Sequence, residues 1–74
     1  MKYSRIQLLS IDSEAIKKVL YDYSKETLRI QFTSEDEYEY HEVPPHVFEG
    51  LQKSPSQGRF LNKYILRKFS YERI

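Results

Sequence analysis

The side chains able to act on a ligand or hold one fall into three groups. His41 and His46, with Glu39 and Glu42 beside them, bring two imidazoles and two carboxylates close together in the chain. These are the donor types of a zinc site or of a general acid–base pair. Pro44 and Pro45 separate the imidazoles, and with no cysteine in the chain there is no third nitrogen or sulfur ligand. A nucleophile would have to be serine, and no serine sits in a G-x-S-x-G elbow or a comparable motif. The expectation is a protein with no catalytic centre, no metal and no cofactor.

Arg59, Lys63 and Arg67 recur every four residues and so stack along one face of a helix, with Asn62 beside them and Lys68 and Arg73 further along. Such a face can neutralise phosphates and release their counterions, while Asn62, Tyr64 or Tyr71 would reach bases or sugars. Arg59, Asn62, Lys63, Arg67, Lys68 and Arg73 are therefore the candidate nucleic-acid-binding residues. The same pattern also describes a solvated helix face whose rings belong to the core. Immediately upstream, Ser56, Gly58 and Arg59 are candidate anion-binding residues, because a helix N-terminus presents free N–H groups to an anion. Plain capping, with a tight helix crossing at Gly58, explains that segment more economically.

Charge supports a polar partner only through its distribution. Residues 1–50 carry six Lys/Arg against ten Asp/Glu, whereas residues 51–74 carry six against Glu72 alone. The final third is basic and the middle acidic, an asymmetry suited to an anionic partner or to an ordinary dipolar surface. The acidic stretch Glu35 to Glu42 also suits a basic protein, or self-association with the basic helix of a second copy. RNA, a protein partner and self-association are thus the candidate partners.

These groups need elements to hold them. Seventy-four residues without cysteine make one domain near the lower size limit for a single core, and seven Tyr and four Phe supply its bulk. Leu28-Arg29-Ile30-Gln31-Phe32 alternates with period two, as does Tyr38-Glu39-Tyr40-His41. A turn at Thr33 to Asp36 would join them as an antiparallel hairpin. Val19 to Tyr23 offers a third strand through a turn at Tyr23 to Glu26. There the pattern conflicts with itself, since Ala15, Ile16, Val19 and Leu20 fall at helical spacing behind Asp12 or Ser13 as a cap.

Val43-Pro44-Pro45 stops the sheet, and a helix from about Pro45 to Lys53 comes next. Ser54, Pro55 and Gln57 spell a capping box for a second helix running to about Leu66. Phe69 to Arg73 alternates as an extended tail that docks its two rings on the core. The expected architecture is α+β: a three-stranded antiparallel β-meander, two α-helices and a short extended C-terminal tail. The apolar patch from Ile6 to Leu9 is too short for a secretory or membrane segment, so a cytoplasmic protein with no membrane association is expected.

Several of these residues together resemble the KTSC domain family: Tyr21-Asp22, Thr27-Leu28 with Ile30 and Phe32, Tyr38 and Tyr40, and Val43-Pro44 with Val47 and Phe48. So does Ser56-Gln57-Gly58-Arg59-Phe60-Leu61-Asn62 with Ile65, Phe69, Tyr71 and Arg73. The resemblance covers residues 13–74, leaving 1–12 as a lead-in. It implies a small module found at the C-terminus of some lysyl-tRNA synthetases and as stand-alone proteins, with RNA binding suggested by that association. This chain departs from the family pattern at Ser34-Glu35-Asp36, where relatives usually place a glycine, and at Leu66, where they tend to be basic.

Overall fold

Alternation of apolar and polar residues builds the centre of the fold. The computed structural model describes residues 6–11 and 13–74. Strands β1 (Ile6–Ser10), β2 (Ile16–Asp22), β3 (Thr27–Phe32), β4 (Glu37–Tyr40) and β5 (Tyr71–Arg73) form one sheet in sequence order, every pair antiparallel. Val19, Tyr21, Leu28, Ile30 and Tyr40 point to one face and are buried there. Lys18, Leu20, Arg29, Gln31, Glu37 and Glu39 point to the other.

The sheet has five strands, which corrects the expected three. β1 comes from the segment expected as a lead-in, and β5 from the tail. Ile6 and Leu8 are exposed on β1 while Leu9 packs against the core, so an outer strand with one half-buried face forms where an isolated patch was visible. Asp12, one of the two caps considered for a helix near Ala15, lies outside the described residues. Ser13 does use its side chain in that way, its Oγ accepting from the Ala15 N–H at 3.1 Å, but a strand comes after it instead of a helix.

Tight turns join the strands, the first of them closed by an aspartate side chain. Asp22 Oδ1 accepts from the Ser24 hydroxyl at 2.7 Å and the Ser24 N–H at 2.9 Å, closing the β2–β3 turn. The Ser24 hydroxyl bond is the main influence holding the Asp22 carboxyl below its ordinary pKa. Glu26 in that turn, Glu35 in the β3–β4 turn and Glu42 after β4 all take positive φ, of 55°, 75° and 57°.

Helix α1 (Pro45–Lys53) begins at proline, whose missing N–H costs nothing in a first turn, and lies where its Phe48 stacks flat on Tyr21 at 4.7 Å. Phe48 and Leu51 from α1, with Leu61 and Ile65 from the next helix, complete the core against the sheet. Ser54 ends α1 and does not cap the second helix. Its Oγ accepts from the Ser56 N–H at 3.1 Å, and helix α2 (Gln57–Phe60) starts after Ser56. The expected capping box is therefore displaced: Ser56 holds an extended φ of −137°, so Pro55 precedes the helix instead of opening it. From Leu61 to Ile65 the helix continues with π winding, closed by the Leu66 N–H donating to the Leu61 oxygen at 2.8 Å. No helix among the described residues is long and apolar enough to cross a membrane.

Candidate nucleic-acid interface

The basic residues of the last helix are positioned by its two buried anchors. Leu61 and Ile65 are wholly buried, and this fixes Arg59, Asn62, Lys63 and Arg67 on the solvent side. A five-residue hydrogen-bonded turn holds more than four residues per turn. Side chains four apart across it therefore stay close to one line instead of drifting round the axis. Arg59, Asn62, Lys63 and Arg67 accordingly line one shallow recess of about 370 Å3.

The electrostatics of that recess are set by the carboxylates missing around it. Among the described residues, ion pairs within 4.0 Å join Arg29 to Glu39 and Arg73 to Asp36, His41 lies within the same range of Glu72 and pairs with it only when protonated, and none of these involves Arg59, Lys63, Arg67 or Lys68. Lys63 instead lies 5.6 Å from the centre of the Tyr64 ring, which is itself packed against Phe60. A cation beside an aromatic face keeps its charge available to solvent.

Two expected members stand apart. Arg73 donates to Asp36 Oδ1 at 2.6 Å, so its charge is answered within the fold and it does not join the helix cluster. Its partner lies in the β3–β4 turn, which alternation alone could not bring beside the tail. Lys68 is exposed, yet it does not border the recess.

Ser56, Gly58 and Arg59, the candidate anion site, do come together, lining a second recess with Ser13, Ser54, Pro55 and Gln57. Arg59 borders both recesses. The close approach inferred from Gly58 is not there. A Cβ on Gly58 would meet Ser13 at 3.8 Å, an ordinary contact, whereas one on Gly50 would lie 3.0 Å from Phe60. The tight crossing between α1 and α2 therefore falls at Gly50.

Two groupings on the sheet were not foreseen. On the helix-facing side, beyond the cover of the helices, Phe32, Ser34, Asp36, Tyr38, Tyr40 and Tyr71 surround an open recess. Tyr71 packs on Tyr38 at 5.4 Å and on Tyr40 at 5.0 Å but remains 54% exposed, so only Phe69 of the two tail rings docks on the core. Burial, with Tyr71 and Tyr38 beside it, raises the Tyr40 hydroxyl above its ordinary pKa. On the outer face, Glu39 and His41 meet Glu72. His46, the other histidine, is exposed on α1 and takes no part. Glu72 escaped sequence reasoning because only the β4–β5 register brings it there, and alternation in a tail does not reveal its pairing partner.

Comparison with known proteins agrees with this architecture. A family model described as the KTSC domain matches residues 12–69. A lysine–tRNA ligase of Nostoc punctiforme is 42% identical over 67 residues, which cover 90% of this chain and 12% of the ligase. The chain thus spans only about 12% of the length of the ligases it matches. A small protein of Tsukamurella paurometabola is 39% identical over 59 residues, covering 80% of this chain and 88% of that one. The crystal structure of a KTSC domain protein from Yersinia pestis matches with a TM-score of 0.83 at 30% identity, over 93% of this chain and 97% of that one. On the family match, the relatives and the shared fold together, the chain belongs to the KTSC domain family.

Proposed function

We propose that this chain is a non-enzymatic, cytoplasmic RNA-binding module that takes the phosphate backbone in the recess lined by Arg59, Asn62, Lys63 and Arg67. The observation that carries this reading is the set of cations sharing one recess with no carboxylate in ion-pair range among the described residues. Three unanswered positive charges, two on the last helix and Arg67 in the turn just after it, suit a ligand with regularly spaced negative charges, and Asn62 adds a donor and an acceptor for sugar or base. The recess of Ser56, Gly58 and Arg59 extends the track past Arg59. Among the relatives, the lysine–tRNA ligases are named for an RNA substrate, which favours RNA over other polyanions.

So small a footprint implies modest affinity, with Kd on the order of 10⁻⁶ to 10⁻⁴ M at physiological salt. The test is the double charge reversal R59E/K63E, read by fluorescence anisotropy with labelled RNA. Affinity should fall by about tenfold or more while thermal stability is kept, because both side chains are exposed. Undiminished affinity in a folded variant would overturn the reading.

A protein partner, or self-association, is the second reading, and one observation favours it. The ring of Tyr71 stands half out of an aromatic recess with Phe32, Tyr38 and Tyr40, and exposed tyrosines are common anchors of protein interfaces. Such an interface would respond weakly to salt, and the variants Y71A and Y38A would abolish it without affecting the helix cations.

A further inference from the structure

Glu39, His41 and Glu72 meet on the outer face of the sheet, away from the helices. Pairing sets Glu39 directly opposite Glu72, and His41 lies two residues beyond Glu39 on the same face. The His41 N–H donates to the Ser70 oxygen at 2.9 Å, which extends the ladder past the end of β4 and fixes that orientation. One donor atom from each of the three residues lies within 4.8 Å of the others.

Like charges directly opposite each other across two strands repel. The groups nearby answer that repulsion only in part. Arg29 is 3.8 Å from Glu39 and His41 Nε2 is 3.9 Å from Glu72, both longer than a hydrogen bond.

We propose that Glu39, His41 and Glu72 form a binding site for a divalent transition metal of the zinc class. One imidazole with two carboxylates is a borderline donor set, which suits zinc and its neighbours better than magnesium or calcium with their preference for oxygen alone. Bonds of about 2.0–2.2 Å to the metal place ligand atoms roughly 3–3.6 Å apart. From that 4.8 Å limit the cluster must close by about 1–2 Å, which the long, 70% exposed side chain of Glu72 can supply. Three protein ligands leave the remaining positions to water. Bound metal neutralises the Glu39–Glu72 repulsion and clasps the three-residue strand β5 to β4. The site is on the opposite side of the sheet from the helices, so it stands whether or not RNA binds the basic recess.

The test is isothermal titration of the whole chain, stripped with chelator, against zinc chloride, with fold checked by circular dichroism. One equivalent should bind with a Kd below about 100 μM. H41A and E72Q should each weaken binding by about tenfold or more, with H46A unchanged and excess magnesium failing to compete. No binding below millimolar zinc, or H41A and E72Q binding as the unsubstituted chain does, overturns the proposal. So does a loss in H46A equal to that in H41A.

Discussion

The Tyr21 hydroxyl donates to the Val43 carbonyl oxygen at 2.5 Å across 22 residues of sequence, and both residues are buried. Val43 is held from its other side too, its N–H donating to the Glu26 oxygen at 2.8 Å. The chain leaving the sheet for α1 is thereby bound to β2 and to the β2–β3 turn. The same tyrosine ring carries Phe48 of α1, so one residue fixes both the path and the packing of the helical layer.

Y21F should therefore keep the packing and lose the bond, leaving a buried carbonyl without a donor. A destabilisation of about 1–3 kcal/mol is expected in urea or thermal unfolding. Burial, with Glu26 as the next cause, pushes the Tyr21 hydroxyl up to about 12 from the ordinary 10. Between those values the unfolded chain has released the proton that the folded chain retains. Stability from this group is whole below pH 10 and declines as pH rises toward 12. The pH slope of unfolding in that window should be shallower in Y21F, and an identical slope would show that Tyr21 does not set it.

Arg73 and Asp36 make a second connection, from the tail to the β3–β4 turn. Both are partly exposed, so R73A should cost less than about 1 kcal/mol in global stability. The loss should be local. Hydrogen exchange should speed up at the His41 and Ile74 N–H groups, which bond to the Ser70 and Glu37 oxygens across β4 and β5. RNA affinity should change by less than about twofold, because this cation is already neutralised. A loss matching that of R59E/K63E would return Arg73 to the binding face.

Ser34-Glu35-Asp36 fills the turn where the family resemblance implies a glycine, and of these three Glu35 holds a φ of 75°, a backbone that glycine adopts without steric cost. A left-handed backbone costs a side-chain-bearing residue about 1–2 kcal/mol, and glycine's extra freedom when unfolded takes back about 0.5–1 kcal/mol. E35G should therefore stabilise the protein, by up to about 1.5 kcal/mol in thermal unfolding. A lower stability would mean that the turn carries no such strain.

Much of this architecture is legible in the residues, and its gaps have identifiable causes. β3, β4 and α1 stand out because each keeps one unbroken period and ends at a turn or a proline. β2 reads as half helix for a physical reason. The register shifts between Ile16 and Lys18, and the irregularity places two buried residues, Ile16 and Val19, three apart as on a helix. β5 is three exposed residues and carries no burial signal of its own. The recess of Arg59, Asn62, Lys63 and Arg67 was visible as spacing, because local helix geometry determines it. The partners of Arg73 and Glu72 were not, because they depend on pairing between strands distant in sequence.

The central claim is that unanswered cations of the last helix hold RNA phosphates, and the salt dependence of RNA binding tests it most directly. Three phosphates neutralised on a single strand give a slope of about −2 in log K against log salt concentration. That slope should flatten in R59E/K63E, whose remaining affinity should depend little on salt. Binding that is insensitive to salt, or a slope that the two substitutions leave unchanged, would contradict the account.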